Sequence, residues 1–101
     1  MAKMLPPVHP GEILREDLLK PLNLSVNHLA KALAVDAARL NEIVRGRRGI
    51  TADTALRLAR YFGSTPEFWM NLQQRYELET ARQAKQKEIE RVVRPRVESA
   101  A

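Results

Sequence analysis

The sequence predicts an all-α protein: five helices built around a helix-turn-helix, followed by a C-terminal tail that is helical or frayed. Three observations predict it. Apolar residues recur at i, i+3 and i+4 along most of the chain, and nothing reads as a strand beyond very short apolar runs. Ser25, Asp36, Thr51 and Thr65 each stand just before such a segment, where a side-chain oxygen can accept from the free N–H groups of a new helix. Between Ser25 and Arg45, in SVNHLAKALAVDAARLNEIVR, two such segments are separated only by Ala34-Val35-Asp36. That is the pattern in which the second helix is presented to the DNA major groove.

Composition bounds the rest. The chain has 101 residues, enough for one domain, and 45% are hydrophobic, enough for a packed core. Only 5% are aromatic, so the core should be mostly Leu, Ala, Ile and Val. The absence of cysteine excludes disulfides and thiolate metal sites and fits a reducing compartment. No run approaches the roughly 20 apolar residues of a membrane span, and MAKMLPP lacks the apolar region of a secretory signal. A cytoplasmic protein away from the membrane is therefore expected. Lys and Arg number 17 against 12 acidic residues, a net charge of +5 and a pI near 10.1, which favours a polyanionic partner. An enzyme is not expected: there is no cysteine nucleophile, no Gly-rich phosphate loop and no HExxH, and His9 and His28 lie far apart in sequence. No metal or cofactor is expected either.

Residues 1–8 form a short arm kept extended by Pro6 and Pro7. His9-Pro10-Gly11-Glu12 opens the first helix, with Pro10 in the first turn and Glu12 near the positive end of the dipole. His9 there suits a cap or surface residue better than a ligand. Ile13, Leu14, Leu18 and Leu19 face inward, and Pro21 stops the helix. In the second helix, capped by Ser25, the apolar face is Leu29, Ala30 and Leu33. Val35 plugs the corner and Asp36 caps the third helix, whose apolar face is Leu40, Ile43 and Val44. Gly46 fits a helix end needing positive φ. Thr51 to Phe62 is the fourth helix, with Ala52, Ala55, Leu56, Ala59 and Phe62 as a narrow inward face and Gly63 as its stop. Thr65-Pro66-Glu67 opens the fifth. Its Phe68, Trp69, Leu72 and Tyr76 are partly core and, as an aromatic cluster on one helix end, a dimer interface. The helix-turn-helix domain thus spans 9–78. Residues 79–101 are a charged extension in which Ile89, Val92 and Val93 make a small stripe and Pro95 ends any helix.

With its apolar face used up, the third helix turns Ala37, Ala38, Arg39, Asn41, Glu42 and Arg45 outward. Small Ala37 and Ala38 allow close approach to base edges and a thymine methyl, Asn41 suits an adenine edge, and Glu42 either accepts from cytosine or repels nearby backbone. Arg39 and Arg45 pair with guanine or phosphate, and Arg47 and Arg48 complete a compact basic loop suited to the DNA backbone. Asn27 and Lys31 on the second helix can each reach a phosphate or stay solvated.

The leading HPGEIL, the block LAKALAV…LNEIVRGRRGIT and the block TALRLARYFG-x-x-PEFWMNLQ together resemble the HigA antitoxin family. These are XRE-type, VapI-like helix-turn-helix proteins with a lambda-repressor-like domain, and the similarity runs from about Val8 to Tyr76. The resemblance implies a homodimer on a palindromic operator in its own promoter, and a HigB partner toxin, a ribosome-dependent mRNA endonuclease. By position it places base reading on Ala37, Ala38, Asn41 and Glu42. It places backbone contacts on Asn27, Lys31, Arg39, Arg45, Arg47 and Arg48. Two departures stand out. Ala34 replaces the Gly common in the family's turn, so the turn must form without positive φ or with strain. Val26-Asn27 also stands where the family often has Gln. The family includes stand-alone regulators without a toxin. A protein-binding module using the aromatic cluster or the tail is the remaining alternative. A dimeric repressor would hold its two third helices one DNA turn apart, roughly 34 Å.

Overall fold

Five helical elements build one core in the computed structural model, which describes residues 5–97. α1 (Pro10–Ile13) runs directly into a widened π-helical segment (Leu14–Leu19). α2 is Val26–Leu33, α3 Ala37–Val44, α4 Ala52–Phe62 and α5 Pro66–Val92. His9 caps α1, its imidazole accepting from the Gly11 N–H at 2.9 Å. The π-helical widening has a packing reason. A wider turn brings residues five apart onto one side, so Leu14 and Leu19 are both buried, with Leu18 packed beside them. The Lys20 N–H reaches the Arg15 carbonyl at 3.0 Å, a five-residue step. Pro21, which has no N–H to give, ends the run. Asn23, at φ 55°, turns the chain so that the Leu24 N–H closes on the Leu19 carbonyl at 2.9 Å.

The expected caps form. Ser25 accepts from the His28 N–H at 3.0 Å, Asp36 from Ala38 at 3.4 Å and Thr65 from Phe68 at 3.1 Å, while Thr51 holds Thr54. Leu14, Leu29, Leu40, Ile43, Leu58 and Trp69 are essentially fully buried and form the centre of the core, with Val35 packed against it at the corner. Each such large side chain contributes about 1.5–3 kcal/mol by leaving water.

α1 approaches α3 so closely that a Cβ on Gly11 would sit 1.8 Å from the Ile43 carbonyl oxygen. Only a residue without a side chain fits there. The start of α4 is tied to α5 through Gln73, which is nearly buried. Its Oε1 accepts from the Ile50 N–H at 2.7 Å and its Nε2 donates to Glu77 at 2.8 Å.

Two expectations are corrected. In α4 the buried face is Thr54, Ala55, Leu58 and Ala59, with Phe62 half-buried, whereas Ala52 is exposed and Leu56 is 59% exposed. A polar residue, Thr54, sits inside because its hydroxyl has partners, and this rotates the inward stripe relative to an apolar count. In α5 Trp69 is fully buried and donates to the Ser64 hydroxyl at 3.2 Å. It is a core residue and is closed to a second chain. α5 continues unbroken past residue 78, and all residues of the helix from Thr80 onward are exposed. The extended arm crosses its flank, with the Gln83 amide donating to the Leu5 carbonyl at 2.8 Å. Arm and helix enclose an apolar cleft of about 330 Å³ lined by Leu5, Pro7, Val8, Ile13, Leu72 and Tyr76.

Candidate nucleic-acid interface

α2 and α3 meet at Ala34, which adopts φ 58° and ψ 45°. The turn therefore takes the left-handed form with an alanine in place of glycine, which costs about 1–2 kcal/mol. In return the Val35 N–H closes on the Ala30 carbonyl at 3.0 Å and α3 leaves at once, capped by Asp36. At the far end Gly46, at φ 77°, lets the Arg47 N–H reach the Glu42 carbonyl at 2.9 Å. The basic loop thus starts directly at the end of α3.

Of the base-reading candidates, Ala38 and Asn41 are exposed, Glu42 is half-exposed, and Ala37 is half-buried because it packs against the core. Glu42 lies 3.8 Å from Arg47 Nη1. A guanidinium beside it reduces the repulsion that a lone carboxylate would exert on a phosphate chain. Asn27 and Lys31 are exposed on α2, and Arg45, Arg47 and Arg48 are exposed around the loop. Among the described residues no acidic side chain pairs with Lys31, Arg45 or Arg48.

Arg39 departs from its expected place. Its Nη2 donates to the hydroxyls of Thr51 and Thr54 and lies 3.5 Å from Asp53 Oδ2. The side chain runs from α3 to the start of α4 and holds the two helices together. Its guanidinium is engaged within the protein.

Sequence reasoning missed two other arginines. Arg57 Nη1 donates to the Leu33 carbonyl at 2.8 Å and the Ala34 carbonyl at 3.2 Å, and its Nε donates to Asp53 at 2.9 Å. Arg15 Nη1 donates to the Val44 carbonyl at 2.9 Å. Each helix of the pair thus has its C-terminal carbonyls satisfied by an arginine from another element, which also suits the dipole. The Asp53–Arg57 spacing of four was the one local signal. Nothing in the sequence points Arg57 at residue 33.

His9 is the joint behind the loop. Its ring packs edge-on against Tyr76 at 4.8 Å, beside the Arg48 backbone. Burial lowers its pKa below 6.5, partly opposed by the Arg48 backbone. The exposed Asp53 carboxyl is held below 3.8, foremost by its hydrogen bond from Arg57.

A short outward helix behind a tight left-handed turn, with a basic loop at its end, defines a helix-turn-helix protein. The helix-turn-helix family model matches residues 14–69. The chain is 61% identical over 82 residues to virulence-associated protein I of Dichelobacter nodosus, covering 81% of this chain and 76% of that one. It is 35% identical over 82 residues to antitoxin HigA-1 of Vibrio cholerae, covering 81% and 77%. Among solved structures, the Pseudomonas aeruginosa antitoxin HigA with the higBA promoter superposes with a TM-score of 0.87 at 50% identity, over 90% of this chain and 99% of that one. The chain belongs to the helix-turn-helix family, within its HigA antitoxin and VapI-like group. That family is a class of DNA-binding regulators and not of enzymes. No helix among the described residues is long and apolar enough to cross a membrane.

Proposed function

We propose that this chain is a sequence-specific DNA-binding antitoxin. It represses its own operon from a palindromic operator as a homodimer, acts in the cytoplasm and neutralises a HigB-type mRNA endonuclease toxin. The observation that carries the DNA half is the exposed Ala38–Asn41 face of α3 beside Arg45, Arg47 and Arg48, on a fold that matches an antitoxin solved with its promoter. Ala38 meets a thymine methyl and Asn41 an adenine edge, with Ala37 and Glu42 at the margins. Arg45, Arg47, Arg48, Lys31 and Asn27 hold the phosphate chain on both sides and set the register. Arg39 contributes from within by fixing α3 on α4. For the homodimer, Phe68, 44% exposed, is the member of the aromatic cluster most open to a second copy, with Leu72 and Tyr76 half-buried behind it.

Operator affinity measured against salt tests this. Arg47→Ala and Arg48→Ala should weaken binding to every sequence and each lower the slope of log K on log salt by about 0.9. Asn41→Ala should relax discrimination at one base pair, worth about 1–3 kcal/mol. Binding that is indifferent to all three changes would sink the DNA assignment. The toxin half is separate. A short basic reading frame immediately upstream should encode a growth inhibitor that this chain neutralises and co-purifies with, and absence of that complex leaves a stand-alone regulator.

A further inference from the structure

We infer that Arg57 is a positioning residue for DNA recognition, acting through the backbone of the Ala34 turn and not by touching DNA; this rests on the DNA-binding proposal above. The turn is the weakest backbone point of the motif. Ala34 is held at φ 58°, a conformation that a Cβ disfavours and glycine adopts freely. The last carbonyls of α2, Leu33 and Ala34, receive both hydrogens of one nitrogen, Arg57 Nη1, at 2.8 and 3.2 Å. Arg57 in turn is oriented by Asp53, one turn earlier on α4, through Nε at 2.9 Å. Asp53 lies 3.5 Å from Arg39, which comes from α3 and reaches Thr51 and Thr54.

The circuit therefore runs from the end of α2 through Arg57 and Asp53 to α3, and it closes on α4. It spans both sides of the turn without using the turn's own side chains. Its members fix the angle between the helix that carries Asn27 and Lys31 and the helix that carries Ala38 and Asn41. Phosphate and base contacts can form together only if that angle is held. Without Arg57 two carbonyls lose their donor, and Ala34 is free to relax toward negative φ. α3 then loses its fixed direction, while every DNA-facing side chain remains present.

The test uses the full chain as wild type, Arg57→Ala, Arg57→Lys, Ala34→Gly and the double variant Ala34→Gly/Arg57→Ala. Operator affinity is measured across salt and hydrogen exchange at the Val35 amide, with circular dichroism as the check on folding. Arg57→Ala should weaken operator binding about ten-fold, the factor set by about 1.4 kcal/mol, with the salt slope unchanged. Val35 should exchange faster in it. Arg57→Lys keeps a donor for the carbonyls but loses the separate Nε bond that orients the side chain on Asp53, so its affinity should fall between those of wild type and Arg57→Ala. The double variant should stay within about three-fold of Ala34→Gly, because glycine needs no support at that φ.

A salt slope reduced by about 0.9 in Arg57→Ala would assign Arg57 to a phosphate and overturn the inference. So would wild-type affinity in Arg57→Ala, or an equal loss with and without glycine at 34. If Arg57→Ala does not fold, the comparison of the double variant with Ala34→Gly decides. Wild-type chain that binds no operator refutes DNA recognition, and the Val35 exchange rates still report whether Arg57 holds the turn.

Discussion

Replacing Gln73 by Met isolates one buried polar joint. Met matches the length of Gln but can neither accept from nor donate to its neighbours. Gln73 is 7% exposed. Its Oε1 is the partner of the Ile50 N–H at 2.7 Å, and its Nε2 donates to Glu77 at 2.8 Å. Leaving the Ile50 N–H without a partner in the interior costs about 1–3 kcal/mol, and the part-exposed bond to Glu77 adds about 0.5–1 kcal/mol. The sum, about 1.5–4 kcal/mol, corresponds at about 4–8 °C per kcal/mol to a fall in Tm of roughly 6–30 °C for a domain of this size. Thermal and urea unfolding followed by circular dichroism measure it, and the urea m-value should stay constant because the exposed area does not change. Gln73→Glu is the companion. It keeps an acceptor for Ile50 but sets a carboxylate against Glu77, so it should be destabilised at neutral pH and recover as the pH is lowered. Because Ile50 follows the basic loop directly, operator affinity should fall with the joint. A Gln73→Met protein within about 0.5 kcal/mol of wild type would refute the reasoning, since that is the scatter of ordinary surface changes.

The remaining predictions concern the other contacts. Gly11→Ala places a Cβ 1.8 Å from the Ile43 carbonyl; since the obstacle is backbone, the loss should exceed the roughly 1–3 kcal/mol of ordinary overpacking, and urea unfolding will show it. Arg39→Ala should lower Tm while leaving the salt slope of DNA binding unchanged, because its guanidinium serves Thr51, Thr54 and Asp53; a slope reduced by about 0.9 would return it to the phosphate contacts. The His9 pKa is lowered in the folded protein, so the neutral ring is favoured by folding. Its contribution is full above 6.5 and is lost as the pH falls from there through the folded value. His9→Asn, which caps without titrating in that range, should abolish this slope in a Tm series, leaving the lower-pH loss from carboxylates such as Glu16 and Asp53.

The site was legible wherever its determinants are local. Asp36, Ser25 and Gly46 announce helix ends through contacts two to four residues away, and the outward side of α3 follows by subtraction once Leu40, Ile43 and Val44 are inside. Arg45, Arg47 and Arg48 lie exposed where the chain order put them. Arg39 was not legible. On a helical wheel it is outward, and only the nearby Thr51, Thr54 and Asp53 of another helix draw it away from the solvent. The same holds for α4, where a satisfied threonine took an inward place that an apolar pattern reserves for Leu56. Trp69 looked available because three of its neighbours in the cluster are bulky and apolar, but the core beneath α5 is large enough to take its whole ring.

What the sequence by itself determined is therefore the set of helices, their caps and the order of the parts: five helices, a two-helix motif at Ser25 to Arg45, and a basic loop after it. Those depend on backbone preferences and on contacts within about one helical turn, which the order of residues specifies directly. Only the tertiary structure decided how the motif is held. Ala34 occupies a left-handed turn, and an arginine 23 residues away binds its carbonyl. Gly11 is required because the backbone of α3 lies against it. The excess of positive charge divides into arginines that face outward and arginines that finish the helices from within. Long flexible side chains find their partners across the fold, and that choice is made by packing, after the helices exist.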